Sequence, residues 1–285
     1  MRAMAVACPG VSTPDTSTAL TSLVQAWSTS AEAVLELVRH LDDDELAAAT
    51  DLPGWSVRDI VAHLAHLESE LAGGDRVLAG DDAIPADALG DPFRAYTEKG
   101  VAARRDRPWS ELLVELEEAV ARLRATLAAD PPPDPPASFP RPGTSWEPLL
   151  RDRTFDYWMH EQDIRRAVGR PGGWDSLGAE VTVRQFRAAL PFVVGKKVRP
   201  PAGTAIAWTV TRPGGVDDVT ITMGEDGRAR PVEQSAADAD VRVSMSVEDF
   251  VLACGGRRPP DELDATVDGD AALGQAVLAA MSVTP

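Results

Sequence analysis

The sequence predicts an α+β protein in which a helical bundle precedes a smaller part with an antiparallel β-sheet. Before residue 170, apolar side chains recur every three or four positions, the spacing of helices that bury one face. The proline-rich residues 130–136 interrupt this pattern, and a cluster of glycine and proline at 169–173 ends it. Beyond that cluster, residues 205–211 alternate between apolar and polar, as half-buried strands do.

The N-terminal part contains four predicted long helices, which follow a disordered arm at residues 1–15. The helices are expected at about 17–41, 56–78, 109–129 and 145–168. Ser56 is predicted to cap the second helix, and Pro148 is tolerated in the first turn of the fourth. Residues 73–92 are rich in Gly, Asp and Ala and predict a loop with at most one short turn. Four such helices with one long connection indicate a four-helix bundle over residues 16–170.

A smaller α+β part is expected over residues 176–285, because short strands alternate there with helices. Its predicted strands are 205–211, 219–223, 241–245 and 263–267. Its predicted helices are 178–194, 247–254 and 271–281. The turn at 212–215 joins the first two strands, and the sheet is expected to be antiparallel.

Charge and cysteine content narrow the classes of function. The formal net charge of −17 argues against nucleic acid and anionic membrane surfaces as partners. No apolar run reaches the length of about 18 residues that a membrane helix needs, and we expect no export signal. The two cysteines, Cys8 and Cys254, form no disulfide framework, which favours a reducing cytoplasm. We expect a monomer or a homodimer.

Three residues carry most of the chemical information: His63, Asp156 and His160. His63 lies in the second predicted helix, whereas Asp156 and His160 are four residues apart in the fourth and share one helix face. Two imidazoles and a carboxylate are a ligand set that a divalent transition metal accepts while keeping coordination positions open. The alternative is that both histidines are polar residues at helix interfaces, bonded to carbonyls or acids.

Other polar residues lie near this set. His66 and Glu70 follow His63 near the same helix face and are either additional ligands, supporting groups or solvated surface residues. Asp163 either orients a ligand or stabilises the bundle. A catalytic triad is unsupported, because the chain lacks a Gly-x-Ser-x-Gly sequence and neither cysteine has a histidine nearby.

Three segments resemble the DinB-like, mycothiol-dependent maleylpyruvate isomerase family. Residues 52–64 are similar to the second helix of that family, and residues 158–165 to its fourth-helix motif. Residues 246–271 resemble its sterol-carrier-like C-terminal domain. The similarity covers nearly everything after residue 15, so it implies a DinB-like bundle followed by that domain.

The resemblance implies a divalent metal, usually zinc, held by His63, Asp156 and His160, with mycothiol as the thiol cosubstrate. The isomerase of the family has glutamate at the position of Asp156, so the carboxylate here is drawn back by one methylene group. Arg257, in the Gly-Arg step of the C-terminal domain, is expected to hold a substrate carboxylate or the thiol cofactor. The alternative for Arg257 is an ordinary surface arginine.

The resemblance favours two enzymatic functions over a third, non-catalytic one. In a thiol S-transferase, the mycothiol thiolate attacks a small electrophilic substrate and stays attached. In a cis–trans isomerase of the maleylpyruvate type, the thiolate adds to a conjugated double bond and leaves after the bond has rotated. The third function is a small-ligand binding protein that uses the cleft between the two parts of the chain.

Overall fold

The computed structural model describes residues 16–129, 134–136 and 144–284. The helices of the N-terminal part are α1 (Thr16–Val38), α2 (Asp43–Ala47), α3 (Val57–Leu71), α4 (Pro92–Ala102), α5 (Trp109–Ala128) and α6 (Trp146–Ala167). The C-terminal part contains α7 (Leu177–Phe192), β1 (Ala205–Arg212), β2 (Gly215–Met223), β3 (Ala229–Val232), β4 (Val241–Ser246), α8 (Val247–Cys254), β5 (Ala265–Gly269) and α9 (Ala271–Ala280). The predicted arm at 1–15 and most of the proline-rich segment lie outside the described residues.

The four long helices α1, α3, α5 and α6 form the predicted bundle. Helix α1 packs on α6 and α3 packs on α5, and side chains from all four helices share one apolar core. Its fully buried members include Trp27, Val34, Ile60, Leu64, Leu112, Leu116, Leu150 and Tyr157. The α+β fold class predicted from the sequence is therefore confirmed.

Helix α3 is enclosed by its neighbours, and every residue from Asp59 to Leu71 is buried. Its start is fixed by a capping box, in which Ser56 Oγ accepts the Asp59 amide and Asp59 Oδ2 accepts the Ser56 amide. The helix ends at Leu71, earlier than predicted, because Gly73 takes a left-handed conformation with φ of 81°. Because α3 has no solvent-facing side, its polar residues are held inside the protein.

Helix α4 was not predicted and is the cover on one side of α3. It begins at Pro92, where the Asp91 carboxylate accepts the amides of Phe93 and Arg94. Its sequence mixes polar residues, glycine and a few apolar residues, so the apolar periodicity that reveals the long helices is weak here. The preceding segment contains two short 3₁₀ turns, where the sequence had predicted one turn at most.

The five-stranded sheet has the order β3-β2-β1-β4-β5. Three pairs of strands are antiparallel, but β1 and β4 run parallel, with Ile206 opposite Val241. The prediction of an antiparallel sheet is therefore wrong for this pair. After β1, the chain forms β2 and β3 on one side of that strand. Residues 233–240 then connect β3 to the opposite side of β1, where β4 pairs with β1 and runs in the same direction. Strand β3 was not predicted, because it contains Pro231 and is largely exposed.

A second apolar core lies between the sheet and helices α7, α8 and α9. Trp158 and Met159 also belong to this core, although they lie in α6 of the bundle. Helix α6 therefore contacts both cores, and His160 follows directly after these two residues. The division of the chain near 170–176 stays a prediction. Within the described ranges, no helix combines the length and apolar character needed to cross a bilayer.

Candidate metal centre

His63, Asp156 and His160 converge where α3 faces α6. One ligand atom from each residue can be chosen so that all three lie within 4.8 Å of one another. His63 Nε2 lies 3.3 Å from Asp156 Oδ2, and His160 Nε2 lies 3.3 Å from Asp156 Oδ1. Zinc bonds of about 2.0–2.1 Å arranged tetrahedrally place neighbouring ligand atoms about 3.4 Å apart. The donor types and the two distances to Asp156 therefore fit a divalent transition metal.

The three side chains differ in access to solvent. Both histidines are buried, whereas the Asp156 side chain remains 26% exposed. A site with buried ligands and one open side can admit a further ligand from solvent, as catalytic metal sites require. Burial lowers the pKa of His63, which favours the neutral imidazole that a metal binds.

Trp55 forms a wall of the site that the sequence did not reveal. Its ring centroid lies 5.3 Å from that of His63 and 6.2 Å from that of His160. The indole Nε1 donates to Glu98 Oε1 of α4 at 3.1 Å, which fixes the ring over the two histidines. An available signal was the position of Trp55 directly before the capping residue of α3. The indole shields one side of the site from water.

His160 is oriented by Asp163, one helical turn further along α6. His160 Nδ1 lies 3.1 Å from Asp163 Oδ2, so the ring can donate from Nδ1 and leave the Nε2 lone pair free for a metal. Burial opposes the ionisation of Asp163, but the His160 hydrogen bond and the Arg257 ion pair hold the pKa of its carboxyl well below the usual range. The geometry is compatible with both roles considered for Asp163, because its carboxylate contacts His160 and also pairs with Arg166 and Arg257.

The Arg257 side chain is buried and forms an ion pair with Asp163. Its Nε donates to Asp163 Oδ1 and its Nη2 to Asp163 Oδ2, both at 2.9 Å. Its Nη1 donates to the Gly255 carbonyl at 2.7 Å, and the side chain is only 8% exposed. The structure thus separates Arg257 from the three candidate ligands by one carboxylate.

Arg153 is a second buried arginine beside the site, and sequence reasoning missed it. Its Nη1 donates to Asp156 Oδ2, while Nε and Nη2 donate to Glu68 Oε2 at 3.2 and 2.9 Å. Trp27 Nε1 donates to the other oxygen of Glu68 at 3.1 Å. Burial alone would lower the pKa of Arg153, but the Glu68 and Asp156 carboxylates raise it, so the guanidinium stays charged. Arg153 therefore fixes one oxygen of Asp156.

His66 and Glu70 do not join the candidate metal centre, and the interpretation as surface residues is wrong. Both are fully buried, because the unpredicted helix α4 covers this side of α3. The His66 ring packs 4.7 Å from the Tyr96 ring, and its Nδ1 lies 3.8 Å from Glu70 Oε1. Gly100 of α4 leaves the space that the His66 ring occupies.

We expect His66 to make the metal-free protein less stable in acid. Burial, followed by the positive charge of Arg104, lowers the pKa of His66 from 6.5 to about 3, so the folded protein keeps the ring neutral. In the unfolded chain the His66 imidazole binds a proton below about pH 6.5. This one proton lowers the free energy of unfolding by about 1.4 kcal/mol for each pH unit. The free energy of unfolding is thus undiminished by His66 above pH 6.5, and it decreases as the pH falls from 6.5 towards 3.

Urea unfolding at several pH values, with chelator present, measures this effect. The His66→Gln variant should lose stability less steeply with falling pH, by about one proton in the linkage slope. The His40→Gln variant is the matched control, because it removes one histidine from an exposed position. Equal slopes for wild type and His66→Gln would contradict the assignment.

The fold and the residue cluster together define a class: helical-bundle proteins with a two-histidine, one-carboxylate site between facing helices. Residues 27–165 match the family model for the mycothiol maleylpyruvate isomerase N-terminal domain. Residues 180–276 match the model for the MDMPI C-terminal domain. The chain belongs to the mycothiol-dependent maleylpyruvate isomerase family, which confirms the resemblance read from the sequence.

Relatives and solved structures align with most of the chain. Uncharacterized proteins from two strains of Mycobacterium tuberculosis are each 26% identical over 254 residues, covering 82% of this chain and 84% of the relative. The crystal structure of the mycothiol-dependent maleylpyruvate isomerase aligns with a TM-score of 0.53 at 15% identity, over 87% of this chain and 92% of that one. A mutant of that enzyme gives a TM-score of 0.52 at the same identity and coverage. At this level of identity the structural likeness shows the fold alone.

Proposed function

We propose that this protein is a metal-dependent enzyme that uses mycothiol as a thiolate against a small electrophilic substrate. His63, Asp156 and His160 would hold a divalent ion, most suitably zinc given the two imidazole donors. Such an ion supplies the positive charge that stabilises a thiolate over a thiol near neutral pH. The observation that carries the proposal is the 3.3 Å spacing of both Nε2 atoms from the Asp156 carboxylate, with that carboxylate open to solvent.

The chain's own residues prepare this site before any substrate enters. Asp163 holds the His160 ring and Arg153 holds the Asp156 carboxylate, so two of the three ligands need little reorganisation. The Trp55 indole keeps water from one side of the histidine pair. A direct contact of Arg257 with a substrate carboxylate or with the thiol cofactor, as the resemblance implies, is a further proposal. The cytoplasmic location and the monomeric or homodimeric state are proposals as well.

Family membership favours the isomerase outcome, in which mycothiol adds to a conjugated double bond and leaves after rotation. The sulfur–carbon bond that forms is broken again, so the thiol is regenerated and the substrate keeps its atoms. A thiol S-transferase is the second candidate. Position 156 carries aspartate where the resemblance implies glutamate for the isomerase, which counts against the isomerase outcome. The two functions share the first step and differ in whether the thiolate leaves.

Thiol activation is expected to depend on the metal. Zinc-loaded protein should accelerate the transfer of mycothiol to an electrophilic probe such as a bimane or an aryl halide. The rate should fall on chelation and return with added zinc, because the positive charge that stabilises the thiolate is removed and restored. The His40→Ala variant, altered at an exposed histidine, should behave as wild type. A zinc-loaded protein without mycothiol-dependent acceleration on any electrophile would instead support the binding-protein function.

The Asp156→Glu variant separates the two enzymatic outcomes. Lengthening the side chain restores the glutamate of the isomerase, so turnover of maleylpyruvate is expected to appear or to rise. Isomerisation and adduct formation are followed together by chromatography of substrate, product and mycothiol conjugate. An unchanged adduct yield without isomerisation would favour the transferase.

A further inference from the structure

Two consecutive arginines connect the C-terminal part of the chain to the bundle. Arg257 and Arg258 follow α8 after Gly256, which takes a left-handed conformation with φ of 64° and turns the chain towards α6. Arg257 pairs with Asp163 through two parallel hydrogen bonds. Arg258 Nη1 lies 2.8 Å from Asp51 Oδ1, in the loop before α3.

Arg166 joins these two contacts into a single cluster. Its Nε donates to Asp51 Oδ2 and its Nη2 to Asp163 Oδ1, both at 2.6 Å. We name Asp51, Asp163, Arg166, Arg257 and Arg258 the arginine–aspartate cluster. Asp163 is fully buried and Asp51 is 12% exposed, so these pairs are screened by solvent far less than surface pairs are.

The backbone around the two arginines is packed tightly against α6. A side-chain carbon placed on Gly255 would approach Met159 Cε to 2.7 Å, so the end of α8 lies directly against the neighbour of His160. The Arg257 amide donates to the Leu252 carbonyl at 2.9 Å, which fixes the start of the arginine pair. A shift of α8 would therefore move Arg257, and with it Asp163, because only residues 255–256 lie between the helix and Arg257.

Asp163 links this segment to the candidate metal centre. Its Oδ2 accepts from both Arg257 Nη2 and His160 Nδ1, at 2.9 and 3.1 Å. A bidentate arginine fixes the plane of a carboxylate, and that plane sets the direction of the His160 hydrogen bond. Without Arg257, Asp163 keeps its contacts with Arg166 and His160 but loses the bidentate pair that fixes the plane of its carboxylate.

We propose that Arg257 and Arg258 are positioning residues of the metal centre, through which the C-terminal part raises metal affinity without supplying a ligand. The inference rests on the proposed metal site at His63, Asp156 and His160. Because coupling between two binding events is reciprocal, metal binding must also strengthen the docking of α8 on α6.

Zinc affinity, measured by competition with a chromophoric chelator, tests the first half. Asp163→Asn should weaken zinc binding by about 10- to 100-fold, the usual effect of losing a partner of a metal-bound histidine. Arg257→Ala should weaken it by about tenfold, and Arg258→Ala by less, because it acts one contact further away. Arg230→Ala is the matched control, since its ion pair with Asp226 is exposed on the sheet and should not change zinc binding.

Hydrogen exchange of wild-type protein with and without zinc tests the reciprocal half. Amides of residues 252–258 should exchange more slowly once zinc is bound, although none of these residues is a candidate ligand. The Arg257→Ala variant should lose this zinc-dependent protection. A purely structural role of the arginines would stabilise the segment equally with and without zinc.

The outcomes separate this inference from the proposed function. Wild-type protein that binds no zinc overturns the proposed function, and the inference with it. Tight zinc binding in wild type that is unchanged in folded Arg257→Ala and Asp163→Asn overturns the positioning role alone. If Arg257→Ala instead keeps its zinc affinity and raises KM for the substrate, Arg257 contacts the substrate and the inference is wrong. If a variant fails to fold, the wild-type protein alone decides: if zinc does not slow hydrogen exchange at residues 252–258, the positioning role is overturned.

Discussion

The His160→Ala variant is expected to lose the bound metal and the thiol-dependent activity while keeping its helical circular dichroism. The change removes one of three ligands and leaves His63 and Asp156, which cannot hold a divalent ion tightly by themselves. Helix α6 should persist, because alanine is the best helix former and the apolar contacts of the helix with both cores remain. Metal content by elemental mass spectrometry and far-ultraviolet dichroism measure the two effects.

His40→Ala is the matched control, since it also removes one imidazole but from an exposed position. It should keep one equivalent of metal and full activity. A full metal load in His160→Ala would show that the site is misassigned, and a collapse of its dichroism would show that His160 mainly stabilises the fold.

The Glu68→Leu variant is expected to lose about 3–5 kcal/mol of unfolding free energy, because it leaves the buried guanidinium of Arg153 without its main partner. Trp27 Nε1 loses its acceptor at the same time. Urea denaturation of the metal-free protein gives the difference directly, without a contribution from metal binding.

Two further variants test whether the loss of stability comes from the unpaired Arg153. The double change Glu68→Leu with Arg153→Met should recover much of the loss, because an apolar pair can replace a buried ion pair at little net cost. Asp226→Asn breaks the exposed pair with Arg230 and should leave stability nearly unchanged. A Glu68→Leu variant as stable as wild type would mean that Arg153 finds another partner or water.

The long helices could be predicted because burial of one face imposes a period on the sequence. Helix α4 and strand β3 lack that period, since α4 mixes apolar and polar residues without a regular spacing and β3 is largely exposed. The parallel pairing of β1 with β4 is a property of the path of the chain between strands, which local alternation does not record. The surface assignment of His66 failed for a related reason, because its burial depends on the unpredicted α4.

The three candidate ligands were proposed from their residue types, from the four-residue spacing of Asp156 and His160 on one helix face, and from the resemblance to the family. Whether the three residues meet between α3 and α6 depends on how each helix is oriented about its own axis, and the sequence does not give that orientation. The support from Arg153 and Glu68 could not be predicted, since these residues are 85 positions apart. A charged residue inside the apolar stripe of a helix, such as Glu68, is the signal to search for in advance.

The parallel pairing of β1 and β4 also matters for shortened versions of the chain. Until residues from Val241 onward are present, β1 has one edge of unpaired amides and carbonyls, flanked by the apolar side chains of Ile206 and Trp208. Open strand edges of this kind recruit strands from other molecules. A chain cut between β3 and β4 therefore carries an aggregation hazard that the intact chain does not, and truncated forms of this protein should end before β1 or extend past β5.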